Sequence, residues 1–282
     1  MSPADATRAD IQKTFGFTPG FIKMTPDLVL PGAWMEMKTL WLNPNTALPN
    51  KLKELIGLAV AAQIPCRYCI YGHKEFARLN GASQGEVGEA IAMAAITRKW
   101  STVLNGLPTD DMKFRSEVNQ MVAYTKKAMA SSATPPAAMK VVDAASAKNE
   151  VKMMFGFVPE FISRYPEESL AGAWIEWRDV EMGPKGAIDG KAKSLISLAV
   201  ASQIPCRYCV VADTEFAKLQ GASEKEIAEA VAMAGMVRHW STLLNGLEID
   251  EPGFRKDVQR VVSDAKKQMK THAQSNTTTA KN

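Results

Sequence analysis

The chain has four cysteines, and they stand as two identical short pairs, Cys66-Arg67-Tyr68-Cys69 and Cys206-Arg207-Tyr208-Cys209. Cysteines three positions apart lie on one side of a helix, close enough to close a disulfide or to grip one soft metal ion. Around the first pair stand Glu54 and His73, so that the segment reads Glu-x11-Cys-x2-Cys-x3-His. His73 follows Cys69 by one helical turn, and its imidazole can approach that thiol. A free cysteine is mostly protonated near neutrality, while only the thiolate attacks a peroxide or a disulfide, so a nearby imidazole or a helix N-terminus activates it. Glu54 adjoins the nearly apolar run 55 to 64, where a carboxylate needs a partner. Which cysteine attacks stays open on these grounds. Pro65 places Cys66 nearest the positive helix end, whereas the distance to His73 favours Cys69.

The elements that must position these groups occur twice. Displaced by 140 residues, the sequence aligns with itself without a gap: Phe15-Gly16-Phe17 on Phe155-Gly156-Phe157, Trp34 on Trp174, Trp100 on Trp240, and Asn105-Gly106-Leu107 on Asn245-Gly246-Leu247. From Glu54 to Leu107 against Ser194 to Leu247, 34 of 54 positions are identical. A period this long is a domain duplication rather than a solenoid, whose repeats run about 20 to 50 residues. The segment 130 to 137 is small, polar and proline-containing, and it sets the expected domains at 1–134 and 135–270, with a polar tail at 271–282 expected to lack order.

Within each repeat the periodicity is helical and no strand is persuasive, so the expected fold is all-α with about six helices per repeat. Leu52, Leu55, Ile56 and Ala59 share a face, and Pro65 stops that helix. A second helix starts at the cysteines and ends at Asn80-Gly81. Ser83 with Glu86, and Ser223 with Glu226, form capping boxes that open long helices. Further helices are expected near 5 to 14, 27 to 42 and 111 to 129. The recurring Trp100 and Trp240 fit core packing and are assigned no chemistry, as is His239. Phe15-Gly16-Phe17 is expected to close the first helix and cover the core, and the 15 methionines to fill it.

The Glu, Cys, Cys, His pattern in an all-helical repeat resembles the alkylhydroperoxidase AhpD-like branch of the carboxymuconolactone decarboxylase superfamily, over roughly residues 15 to 125 and 155 to 265 of this chain. The resemblance implies two tandem AhpD-like helical domains and a thiol-dependent peroxidase or disulfide reductase. Cys69 would attack the peroxide, Cys66 would resolve it, and His73 with Glu54 would move the proton. It implies no metal or organic cofactor. It further implies an organic hydroperoxide as substrate, a thioredoxin-like or lipoyl-bearing protein as dithiol donor, and a homo-oligomer, with a trimer favoured. Some family members place His between the cysteines, where this chain has Tyr68. The second repeat keeps Cys206 and Cys209 but has Ser194 for Glu54 and Asp213 for His73, so that pair is expected to react slowly with peroxide. Exchanging Ser194→Glu and Asp213→His is expected to speed it.

Composition narrows the remaining classes. With 282 residues, 46% hydrophobic and 23% charged, the chain can build two ordinary cores. The net charge of +4 and pI near 8.8 come from scattered lysines and arginines, which argues against a nucleic-acid partner. No apolar run reaches the roughly 20 residues of a membrane helix. The N-terminal segment lacks the features of an export signal, so the expected compartment is the cytoplasm, or the periplasm if a leader has been removed. Two rivals remain: a lactone-processing enzyme of the same superfamily that does not depend on the cysteines, and a non-catalytic stress-response protein whose cysteines, as disulfides or zinc ligands, hold structure.

Overall fold

The computed structural model describes residues 1–107, 109–131, 139–183 and 185–279, with side chains described to residue 271. It is all-α, with no strand among the described residues. In repeat one the helices are α1 (Pro3–Phe15), α2 (Gly20–Met24), α3 (Leu30–Glu36), α4 (Asn50–Gln63), α5 (Arg67–Leu79), α6 (Gln84–Gly106) and α7 (Asp111–Ala130). In repeat two they are α8 (Ala144–Phe155), α9 (Glu160–Ser163), α10 (Glu167–Trp177), α11 (Gly190–Gln203), α12 (Arg207–Leu219), α13 (Glu224–Gly246) and α14 (Glu251–Thr279). The expected boundary at 134/135 lies outside the described residues. The backbone of α14 continues through 271–279, a stretch of the polar tail for which the sequence predicts no helix, and 280–282 lie outside the described residues.

Among the described residues each repeat thus has seven α-helices where about six were expected, because the short α2 and α9 follow prolines that leave little periodicity to read. The helix expected over 27 to 42 is also interrupted. Past Glu36 the hydrogen bonding slips to the π pattern over Met37–Trp41, with Leu42 N–H donating to Met37 C=O at 2.9 Å, and Arg178–Met182 does the same in repeat two. A π turn rotates the following side chains relative to a regular helix and recurs at functional sites. Here it aims Trp41.

Other local expectations are met. Gly16 ends α1 in the left-handed conformation at φ 76°, which a side chain would resist, and Phe15 then packs edge-on against Trp34. Ser83 and Glu86 exchange both hydrogen bonds of a capping box, as do Ser223 and Glu226. Trp100 and Trp240 are buried.

The chain forms two compact units, and these cut the sequence differently from the repeats. One comprises Met1–Val87 and Gly235–Asn282, the other Gly88–Ala234. The breaks fall inside α6 and α13, 23-residue helices about 35 Å long. Each unit therefore combines the first five helices of one repeat with the last helices of the other. In the first unit α14 packs on α5 and α2, and in the second α7 packs on α12 and α8. The core of the second unit gathers Trp100 and Phe114 from repeat one with Phe155, Phe161 and Trp174 from repeat two.

Candidate functional site

Site residues of repeat one meet in the first unit. Pro65 ends the α4 pattern, and Cys66 becomes the N-cap of α5, its sulfur accepting the Cys69 N–H at 3.3 Å. Cys66 and Cys69 are disulfide-bonded, with Cα atoms 5.3 Å apart. From α13 the Asn245 amide donates to Cys66 Sγ at 3.6 Å, and from the connection between α13 and α14 the backbone oxygen of Ile249 accepts the Tyr68 hydroxyl at 2.6 Å. Once the disulfide opens, these N–H groups and the helix end would stabilise a thiolate on Cys66.

Glu54 and His73 are both buried and lie side by side. His73 Nδ1 lies 2.8 Å from Glu54 Oε2, and Trp41 Nε1 donates to Glu54 Oε1 at 2.6 Å. With Glu54 accepting at Nδ1, the other ring nitrogen is left to exchange a proton. The indole of Trp41 stacks on the imidazole, with ring centroids 4.7 Å apart and 29° between planes. Lys53, fully buried, anchors the end of the π turn by donating to Leu40 and Asn43 carbonyls at 2.8 and 2.6 Å. Gly57 on α4 leaves the space that the imidazole fills, and a Cβ there would overlap Cε1 and both ring nitrogens.

An apolar cavity of about 100 Å³ opens onto this group. Cys69 and His73 line it together with Trp41, Phe76, Trp240 and Phe254, while Cys66 does not. Cys69 is 7% exposed and Cys66 1%. Trp240, to which the sequence assigned only packing, is thus also a cavity wall, and Met37 contributes a thioether.

The second unit repeats the sulfur geometry without the Glu–His pair. Cys206 is the N-cap of α12 and is bonded to Cys209, with the Cys209 N–H at 3.2 Å and the Asn105 amide at 3.7 Å from Cys206 Sγ. Tyr208 donates to the Thr109 carbonyl at 2.8 Å. Ser194 instead bonds back to Gly190 C=O at 3.1 Å. Among the described residues no three His, Cys, Asp or Glu side chains converge on a point that could hold a metal ion.

The model of the carboxymuconolactone decarboxylase family matches residues 30–109 and 168–251, more than half of the chain and once in each repeat. The chain belongs to the carboxymuconolactone decarboxylase family. Both matched regions contain one cysteine pair. A further similarity is to "Uncharacterized protein 4 in cox locus" of Paracoccus denitrificans, 31% identical over 85 residues, which is 29% of this chain and 77% of that protein. No solved structure matches the chain. No described helix is long and apolar enough to cross a membrane.

Three residues of this family member's first site escaped the motif. Trp41 and Gly57 differ between the repeats together with His73, as Glu181 and Ser197, and that joint change was the available signal. Asn245 recurs as Asn105, but its partner sulfur lies in the other repeat, which no local pattern shows.

Proposed function

We propose that the first unit is a thiol peroxidase that reduces organic hydroperoxides at Cys69 and is restored by a dithiol. The observation that carries this is the placement of Cys69, and not Cys66, on an apolar cavity whose wall also holds the Glu54-paired His73. In the reduced enzyme His73 takes the Cys69 proton. The thiolate attacks the terminal peroxide oxygen, an S–O bond forms, the O–O bond breaks, and the alcohol leaves with the proton that His73 returns. Cys66 then attacks the Cys69 sulfur, the S–O bond breaks, water leaves, and the disulfide is closed. A dithiol supplies two electrons and two protons to reopen it by thiol exchange, its carrier protein being of the thioredoxin-like or lipoyl-bearing class. The walls supplied by Trp41, Phe76, Trp240 and Phe254 favour an apolar organic hydroperoxide over hydrogen peroxide.

Peptide-mapped mass spectrometry of the reduced protein, after one equivalent of an alkyl hydroperoxide and rapid thiol blocking, tests this. The Cys66–Cys69 bond is expected to form first, well ahead of Cys206–Cys209. Four free thiols after the same treatment overturn the proposal.

Loss of the relay in the second unit involves four positions and not two. Ser194→Glu with Asp213→His alone leaves Ser197 where Gly57 makes room and Glu181 where Trp41 donates its N–H. The two-residue exchange is therefore expected to leave peroxide oxidation of Cys209 within about threefold of the parent. Adding Ser197→Gly and Glu181→Trp is expected to raise it by about tenfold or more. Equal rates for both grafts in stopped-flow oxidation assays would remove Trp41 and Gly57 from the account.

A further inference from the structure

Repeat two does not leave the relay position empty. The 140-residue offset puts Glu181 where Trp41 stands and Asp213 where His73 stands. The π turn Arg178–Met182 carries Glu181, and α12 carries Asp213 one turn past Cys209. In the first unit the corresponding side chains stack; here the two carboxyls are close enough to act on each other electrostatically. Trp177 Nε1 donates to Glu181 Oε2 at 2.6 Å. Asp213 Oδ2 is buried and has no hydrogen-bond partner among the described residues. The titratable groups facing Glu181 are Asp213 from α12 and Lys193 from α11, and the ammonium of Lys193 is paired with Glu89 Oε1 of α6 at 2.9 Å.

Burial lifts the Glu181 carboxyl to about 7, against the pull of the Trp177 N–H and of Lys193. Burial first, and the Glu181 charge second, hold Asp213 well above the carboxylate range. Two such neighbours do not both ionise at neutral pH, and they titrate as a pair. An unpartnered buried carboxylate oxygen carries a desolvation cost that protonation relieves.

We propose that Asp213, one turn past Cys209 and facing the Glu181 carboxyl, keeps a proton at neutral pH and passes it to the Cys209 sulfur when an external dithiol reduces the Cys206–Cys209 disulfide. Cys209 is the more accessible sulfur, since Cys206 has no exposed surface. The dithiol's thiolate attacks Cys209 Sγ, a mixed disulfide forms, and Cys206 leaves as a thiolate at the α12 N-terminus, near the Cys209 N–H and the Asn105 amide. The second thiol gives its proton to solvent and attacks its own mixed-disulfide sulfur, releasing the oxidised dithiol. Cys209 departs with the bonding electrons and takes the proton held by the pair, which solvent replaces. Two electrons pass from dithiol to protein; of the two protons the dithiol releases to solvent, one is returned through the carboxyl pair to Cys209, and the other stays in solvent while Cys206 remains a thiolate or is taken up when Cys206 is protonated. Ionisation of the pair opposes both the arriving and the departing thiolate. The first unit's peroxide chemistry plays no part in this step.

The test uses the full chain with Cys66→Ser and Cys69→Ser, which leaves one disulfide. Its rate of reduction by dithiothreitol is measured from roughly pH 5 to 9 and divided by the thiolate concentration. The quotient is expected to be level in acid and to fall about tenfold as pH rises through the titration of the pair. Asp213→Asn is expected to move the fall to lower pH, and Asp213→Asn with Glu181→Gln to abolish it. A level profile for the parent overturns the proposal whether or not the variants fold. A folded double-carboxyl variant that keeps the parent's fall overturns it as well.

Discussion

Cys69→Ser is expected to slow hydroperoxide consumption by about 10³-fold or more, the scale on which removal of an attacking group acts. Cys66→Ser should behave differently, because in the proposed cycle it removes the resolving thiol and not the attacking one. It is expected to consume about one equivalent of hydroperoxide and then stop, with a sulfenic acid on Cys69 that a 1,3-dione traps. The distinction follows from placement. Cys69 faces the cavity beside His73, while the Cys66 sulfur sits at the N-cap under the Cys69 N–H and the Asn245 amide. Those N–H groups suit a thiolate that waits and then closes the bond. A Cys69→Ser protein that consumes hydroperoxide at the native rate, with the dione adduct on Cys66, would reverse the two roles.

Gly57→Ala is expected to cost about 10²-fold in the rate of peroxide-driven disulfide formation, the loss typical of a displaced general base. One methyl group suffices because its carbon would occupy the volume of the His73 ring itself. The imidazole must leave, Glu54 loses its partner at Oε2 and keeps only the Trp41 N–H, and the unpaired carboxylate costs about 1–3 kcal/mol of stability. A packing defect alone would add to the effect of removing the imidazole, so the double variant separates the two cases. Gly57→Ala with His73→Gln should be no slower than His73→Gln alone. Additive losses in that cycle would mean that Gly57 acts on something other than His73.

Much of this arrangement is legible in the sequence because it rests on local periodicity. The CxxC spacing, the stop at Pro65, the Ser83–Glu86 cap and the i, i+4 relation of Cys69 to His73 are all statements about one helix turn, and all hold. What stays hidden arises from contacts without a local signature. The π turn at Met37–Trp41 is a slip of one hydrogen bond with no glycine or proline to mark it, so the direction of Trp41 could not be foreseen. Gly57 in the middle of α4 reads as a propensity cost until the ring against it is seen. Asp213 alone suggests only an inhibited thiol, and Glu181, 32 residues upstream, changes that meaning. The assembly of each unit from both repeats is the least legible feature, because the apolar patterns of two near-copies do not say which copy covers which core.

That shared assembly bears on how the two sites could come to differ. A single repeat that lent its last helices to an identical neighbour, and received the neighbour's in return, would form a pair with two sites forced by symmetry to hold the same residues. Any substitution would appear in both at once. Joining the copies in one chain removes that constraint, since Glu54, Gly57 and His73 can be kept in one unit while Ser194, Ser197 and Asp213 stand in the other. Fusion is therefore what allows one protein to hold the same disulfide in two unlike electrostatic settings, at a fixed ratio of one to one.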